Sequence, residues 1–77
     1  MCGIVGIWDR AGGQIGERLL NKFTDSVAHR GPDGRGIYLN ENRSLGLGHR
    51  RLAILDLSSS GEQPMAYGGG RYRIVYN

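Results

Sequence analysis

Cysteine is nearly absent from this 77-residue sequence, because Cys2 is its single cysteine. A disulfide within the chain is therefore excluded. One cysteine and two histidines, His29 and His49, cannot complete a tetrahedral zinc site without a carboxylate, so no metal site is predicted. A lone thiol fits a reducing compartment, and we expect a cytoplasmic protein.

Long hydrophobic runs are also missing. The apolar segment at residues 4–8 contains a glycine and is followed directly by Asp9 and Arg10. It is too short for a secretory signal, and a membrane helix needs about 20 apolar residues. The sequence therefore predicts no membrane partner.

Lysine is scarce, since Lys22 is the only lysine and the other nine basic residues are arginines. The formal net charge is +3, but the basic residues are scattered among seven acidic ones, with no run longer than Arg50-Arg51. Nucleic-acid binding is therefore not predicted. Arginine serves equally well as a two-pronged ligand for a small carboxylate.

Glycine is abundant, with 14 of 77 residues against a usual share of about 7%. The glycines separate short apolar segments, which indicates tight turns and close backbone contacts in a strand-rich fold. A strand, one helix and then several strands predict an α+β fold, with mostly antiparallel strands and the helix on one face. The predicted helix covers residues 17–29; the predicted strands cover 2–8, 36–40, 44–49, 52–57 and 71–76, with turns at 32–34, 41–43 and 68–70.

Two details of this assignment concern packing. Gly31 and Pro32 are expected to end the helix, with His29 and Arg30 favourably placed at its C-terminus. Gly46 and Gly48 alternate with larger residues, so we expect another backbone or a large ring against that face of the strand.

Cys2 is the strongest candidate for a catalytic residue. Removal of Met1 would place a thiol and an α-amine on the same residue, and an α-amine has a pKa of about 7.7–8.0, close to that of an ideal general base. The sequence thus allows an N-terminal nucleophile, or alternatively a buried inert thiol. Without a free amine, His29 or His49 could act as the base; otherwise His49 is a core or edge histidine.

Arg51 and Asn77 each have two interpretations. Arg51 either forms a salt bridge, for example with Asp56, or binds a substrate carboxylate. Asn77 either ends a strand or donates its amide to an oxyanion. The glycines at 68–70 lack the following Lys-Ser/Thr of a phosphate loop, which favours a simple turn.

Five segments in order resemble class II glutamine amidotransferases. They are MCGIVGI at residues 1–7, HRGPDG at 29–34, HRRLAILD at 49–56, QPM at 63–65 and VYN at 75–77. Within that class, the second and third segments are most similar to the glutamine-hydrolysing asparagine synthetase family. The alternatives are another class II amidotransferase with a different ammonia acceptor, or a catalytically silent fragment acting as a binding or assembly module.

The resemblance implies a partial N-terminal nucleophile hydrolase fold, an αββα sandwich. Residues 1–77 would be the N-terminal fragment of a type 2 glutamine amidotransferase (glutaminase) domain, with the rest of that domain and a C-terminal synthetase domain absent. Glutamine would be hydrolysed to glutamate and ammonia, and the ammonia would amidate aspartate. ATP and Mg²⁺ would bind in the synthetase domain, with no cofactor in this fragment. The resemblance is also compatible with a homodimer.

The resemblance also implies a role for individual residues. Cys2 would be the nucleophile and its own base, and Asn77 would contact the substrate and donate to the oxyanion. Arg51 would hold the glutamine α-carboxylate. Leu52, Ala53, Ile54 and Leu55 would line the glutamine site, while Arg30 and Gly31 would support the loop near the nucleophile. If these 77 residues acted alone, no glutaminase activity would be expected.

Overall fold

Short apolar segments between turn residues form antiparallel strands in the computed structural model, which describes residues 2–52 and 62–76. The predicted α+β arrangement is confirmed at this level. In chain order the elements are β1 (Gly3–Trp8), α1 (Glu17–Ser26), a short 3₁₀-helix (Ala28–Arg30), β2 (Gly34–Leu39), β3 (Leu45–Arg51), β4 (Met65–Tyr67) and β5 (Tyr72–Ile74).

The larger sheet has the strand order β1-β3-β2, with both pairs antiparallel. β3 is therefore the central strand, and His49 lies opposite Ile4 on one side and Gly36 on the other. The turn predicted between β2 and β3 is confirmed. It is closed by a hydrogen bond from the Arg43 amide to the Asn40 carbonyl at 3.0 Å.

Helix α1 packs across the glycine face of β3. Leu20 and Thr24 are fully buried there. A Cβ at Gly46 would lie 3.1 Å from a Leu20 methyl, and a Cβ at Gly48 would overlap the Thr24 hydroxyl. The expectation of a backbone or large ring against this face is wrong, because two helix side chains occupy the space that the glycines leave.

The predicted helix end at residue 29 is also wrong. α1 ends at Ser26, and Val27 has φ −105° and ψ 19° outside the α-helical region. Its amide bonds back to the Thr24 carbonyl at 3.3 Å, which tightens the last turn. His29 and Arg30 therefore belong to the separate 3₁₀-helix, and the last turn of α1 carries no basic residue.

Arg51 ends β3 and does not begin a new strand. Leu52 lies outside regular structure, which corrects the expected start of a strand at 52; residues 53–57 lie outside the described parts of the chain. β2 begins at Gly34, two residues before its predicted start. Strand β4 was not predicted, because three residues give too little periodicity to identify a strand.

β4 and β5 form a separate two-stranded hairpin. The predicted turn between them is confirmed, with φ values of 64°, 68° and 89° at Gly68, Gly69 and Gly70. These left-handed conformations favour glycine. Strand β5 is shorter than the predicted 71–76. The Arg73 guanidinium lies 4.6 Å from the centre of the Tyr38 ring and links the hairpin to β2. Neither helix in residues 2–52 and 62–76 has the length and apolar content to cross a membrane.

Candidate active site around Cys2

The Cys2 thiol is half-buried at the start of β1 and lies beside the end of β3. Antiparallel pairing brings the two ends together, because Gly3 lies opposite Arg50. The Leu52 amide nitrogen is 3.4 Å from the Cys2 sulfur and donates a hydrogen bond to it. This contact fixes the Cys2 sulfur beside the backbone at the end of the central strand.

The backbone of Cys2 is held by Arg30, whose Nε donates to the Cys2 carbonyl at 3.1 Å. Arg30 is the last residue of the 3₁₀-helix, so the tightened turn after α1 brings this side chain to the start of β1. Cys2 is thus contacted at its sulfur by Leu52 and at its carbonyl by Arg30, and both were expected site residues.

Gly31 allows the chain to pass directly against β3. A Cβ at this position would overlap the carbonyl group of Arg50. Its φ of −150° and ψ of 82° do not require glycine, so the reason for glycine here is space and not a left-handed helix cap. The Gly31 carbonyl accepts a 3.0 Å hydrogen bond from Arg50 Nε.

The two adjacent arginines of β3 have different surroundings. Arg50 binds Gly31 and also lies 3.3 Å from the Asp25 carboxylate, which accepts a second bond from Arg35 at 3.0 Å. Asp25 is more than half exposed, so these pairs contribute at most about 1 kcal/mol each and mainly orient the side chains. Arg51 points to the opposite face of the strand, because side chains alternate along β3.

His49 shares that face with Arg51 and is almost completely buried. Its Nε2 lies 3.2 Å from the Tyr76 carbonyl oxygen. Burial lowers the pKa of His49, the hydrogen bond to Tyr76 opposes this shift, and the charge of Arg51 adds to it. The imidazole is therefore neutral at pH 7 and carries its proton on Nε2, since a carbonyl only accepts.

The structure does not support a histidine base for Cys2. Among the described residues, the hydrogen bond to the Cys2 sulfur comes from Leu52, and neither His29 nor His49 provides one. His29 is exposed in the 3₁₀-helix. His49 matches its interpretation as a core histidine.

Gln63 is a residue of this region to which sequence reasoning gave no role. Its side chain is buried, and its Oε1 accepts a 2.7 Å hydrogen bond from the Tyr76 amide. Gly36 makes room for it, since a Cβ there would overlap the Gln63 carbonyl. The signal available in the sequence was the QPM segment, but its contact with Tyr76 depends on the fold.

The structure thus brings together Cys2, Arg30, Gly31 and the β3 end at Arg51 and Leu52. The other expected site residues, Ala53, Ile54, Leu55 and Asn77, lie outside the described parts of the chain, as does Asp56. Within residues 2–52 and 62–76, no three His, Cys, Asp or Glu side chains are grouped to hold a metal ion.

Residues 1–77, the whole chain, match the family model of the glutamine amidotransferase domain. The chain belongs to this family. The chain is 49% identical over 99% of its length to a Methanocaldococcus jannaschii protein that is named as a glutamine-hydrolysing asparagine synthetase 2. It is 36% identical over its full length to asparagine synthetase (glutamine-hydrolysing) 1 of Bacillus subtilis.

A third relative of the amidotransferase domain carries a different name. Amidase chry2 of Gibberella zeae is 51% identical over 83% of the chain. The chain spans only 15%, 12% and 9% of the length of the archaeal, bacterial and fungal relatives, respectively. No solved structure matches the chain.

Proposed function

We propose that this amidotransferase domain hydrolyses the side-chain amide of glutamine and supplies the ammonia to a synthetase that converts aspartate to asparagine. The observation that carries the proposal is the position of Cys2. Its sulfur lies beside the Leu52 amide, and the Cys2 carbonyl accepts a hydrogen bond from Arg30. The asparagine synthetase names of the archaeal and bacterial relatives favour aspartate as the acceptor.

The chemistry begins once Met1 is removed. The Cys2 sulfur attacks the amide carbon of glutamine, and the thiol proton passes to the Cys2 α-amine. The resulting tetrahedral intermediate loses ammonia, which takes the proton back from the amine, and a thioester remains. Water then attacks the thioester, releases glutamate and restores the thiol.

The remaining residues of the site would bind glutamine and stabilise the intermediate. Arg51 binds the α-carboxylate, and residues 52–55 line the pocket. Asn77 donates to the oxyanion, where the loss of one donor costs about 10²–10³ in rate. Arg30 and Gly31 keep the backbone around Cys2 in place. The antiparallel sheets and the helix of this chain would form part of an αββα sandwich.

A second domain completes the reaction in this proposal. It binds ATP and Mg²⁺, activates aspartate and receives the ammonia, and none of these steps is assigned to residues of this chain. The short share of each relative that the chain spans is the support for such a domain. A reactive thiol is best preserved in a reducing compartment, which favours the cytoplasm.

The second candidate function is amide cleavage that serves another acceptor or none, favoured by the amidase name of the Gibberella relative. The full-length protein supplied with glutamine, ATP, Mg²⁺ and aspartate separates the candidates. We expect glutamate and asparagine in equal amounts. Glutamate without asparagine would favour the amidase candidate, and absence of both products would favour a silent binding module.

Substitution of Cys2 tests the role of the nucleophile in the same protein. We expect Cys2→Ala to abolish glutamine hydrolysis and to leave synthesis from added ammonia within about threefold of wild type, because the thiol acts only in amide cleavage. Cys2→Ser replaces the thiol by a hydroxyl and keeps the α-amine. Because the hydroxyl is a far weaker nucleophile, this variant should also lose glutamine hydrolysis and keep ammonia-dependent synthesis. Glutaminase activity in Cys2→Ala would contradict the mechanism, and loss of both activities would make Cys2 structural.

A further inference from the structure

Two buried side chains hold the backbone of Tyr76 from both sides. Gln63 Oε1 accepts the Tyr76 N–H at 2.7 Å, and His49 Nε2 donates to the Tyr76 carbonyl at 3.2 Å. The exposed fractions of Gln63 and His49 are 8% and 1%, whereas Tyr76 itself is 54% exposed. The attachment of this segment therefore depends on its backbone and not on burial of the tyrosine ring.

This attachment replaces ordinary strand pairing. β5 ends at Ile74, so Tyr76 lies beyond the β4–β5 ladder. Burial of a polar side chain is unfavourable unless it forms a hydrogen bond. His49 and Gln63 meet this requirement by binding the two polar groups of one residue, which fixes that residue's orientation more closely than one contact would.

The hydrogen bond from His49 to Tyr76 is relevant to the site because Tyr76 directly precedes Asn77. Its carbonyl belongs to the peptide group that joins it to Asn77. The atoms of a peptide group lie in one plane, so a hydrogen bond to that carbonyl restrains the direction in which the chain continues. Asn77 is the residue to which the proposed function assigns donation to the oxyanion.

His49 also connects this segment to the nucleophile. It lies on β3 two residues before Arg51, and the end of the same strand leads to the Leu52 amide that contacts the Cys2 sulfur. β3 is hydrogen-bonded to a neighbouring strand on each side, which restrains its backbone. The segment before Asn77 and the backbone beside Cys2 thus share one support.

We propose that His49 and Gln63 are positioning residues that hold the Tyr76–Asn77 peptide group so that residue 77 donates to the tetrahedral intermediate. This rests on the proposed function. Neither side chain is assigned contact with glutamine. Both act through Tyr76, and their loss should therefore affect the transition state more than the binding of glutamine.

The test uses two pairs of variants in the full-length protein. His49→Leu and Gln63→Met remove the hydrogen bonds while approximately keeping side-chain bulk. His49→Gln keeps an N–H donor near the Nε2 position, and Gln63→Glu keeps an acceptor oxygen. His29→Leu, at the exposed histidine of the 3₁₀-helix, is the matched control.

We expect kcat for glutamine hydrolysis to fall about 10–100-fold in His49→Leu and Gln63→Met, which is less than the loss of a whole oxyanion donor would cause. The KM for glutamine should stay within about threefold of wild type. His49→Gln and Gln63→Glu should recover most of the lost kcat. Alkylation of Cys2 by iodoacetamide should keep its rate in all variants, because that displacement forms no oxyanion. His29→Leu should match wild type throughout.

The outcomes separate the inference from the function on which it rests. If wild type hydrolyses glutamine and both His49→Leu and Gln63→Met keep its kcat, the inference is overturned but the proposed function is not. A joint fall of kcat, alkylation rate and melting temperature without recovery in His49→Gln overturns it as well, since the residues would then be structural. If His49→Leu does not fold, Gln63→Met provides the same measurement. A wild-type protein without glutamine turnover overturns the proposed function and the inference together.

Discussion

The backbone nitrogen of Leu52 lies 3.4 Å from the sulfur of Cys2, although the two residues are fifty positions apart in the chain. The contact follows from the antiparallel pairing of β1 with β3, which places Gly3 opposite Arg50. The first residue of the proposed mature chain and the end of the central strand therefore meet. Arg51, the proposed carboxylate ligand, is the residue directly before Leu52, so one strand pair supports both the proposed nucleophile and the proposed substrate-binding arginine.

The mature protein should begin at Cys2. Removal of Met1 creates the α-amine that the mechanism uses as its base. Mass spectrometry of the intact purified protein should give a mass lower by one methionine residue, and its N-terminal peptide should start with Cys2-Gly3. Retention of Met1 in an active enzyme would contradict the role of the amine.

Arg51→Lys should raise the KM for glutamine about tenfold and change kcat much less. Lysine keeps the charge but loses the paired N–H geometry, and one charged hydrogen bond contributes about 1.5 kcal/mol. Steady-state glutaminase kinetics measure the effect. Arg73→Lys, on the β4–β5 hairpin, is the matched control and should keep the wild-type KM. A large fall in kcat at constant KM would indicate a catalytic or structural role for Arg51.

Arg30→Met should lower kcat about tenfold. The Cys2 carbonyl would lose its hydrogen bond, and the Cys2 thiol would therefore be held less firmly in position. Methionine preserves the apolar stem of arginine. Arg18→Met changes an exposed arginine of α1 and should have no effect. Single-turnover rates of thioester formation, measured for both variants, check the prediction. Equal rates in the two variants would contradict it.

Gly48→Ala should destabilise the domain by about 1–3 kcal/mol, as expected for overpacking. The added methyl would overlap the Thr24 hydroxyl, and Thr24 is fully buried. The double variant Gly48→Ala/Thr24→Ala should lose less stability than the sum of the single variants. Gly16→Ala is the control, since a Cβ there meets no atom within 4 Å. Denaturant unfolding of all four variants measures these free energies; strict additivity would contradict the contact.

The free energy of unfolding should decrease as the pH falls below the usual histidine pKa of about 6.5. The pKa of His49 is lowered in the folded protein, mainly by burial, and the charge of Arg51 contributes. The unfolded chain therefore binds the proton more readily, so the stabilisation is complete above pH 6.5 and is lost as the pH falls through the folded pKa. Melting temperatures at pH 7.5 and 5.5 should differ more for wild type than for His49→Gln. The reverse order would contradict the sign of the shift.

The parts of the fold that the sequence predicts well are those with local signals. β1 is apolar and is followed directly by Asp9 and Arg10, and the turn at 68–70 consists of glycines with positive φ. The errors arise where tertiary contacts decide. Val27 lies so close to β1 that a Cβ at Gly3 would be 2.9 Å from a Val27 methyl. The chain leaves the α-helix at Val27, before the Gly31-Pro32 signal. β3 continues through Arg51 because β2 pairs with it from Gly34 onward.

The candidate site shows the same division. Residue type and position identified Cys2, and the resemblance supplied Arg30 and Gly31, whose contacts with Cys2 and Arg50 the structure then places. Nothing in the sequence indicated that Gln63 would bind the backbone of Tyr76, because twelve residues and a hairpin lie between them. The roles of Arg51 and residues 52–55 stay predictions.

The alternation along β3 limits how this domain can change during evolution. Gly46 and Gly48 face α1, while Leu47 and His49 face the other side of the sheet. Insertion or deletion of a single residue would move every later side chain to the opposite face, placing His49 against the helix and a glycine in its position. Divergence within this strand must therefore proceed by substitution, whereas changes in length are better tolerated in exposed loops such as residues 10–14, which belong to no helix or strand.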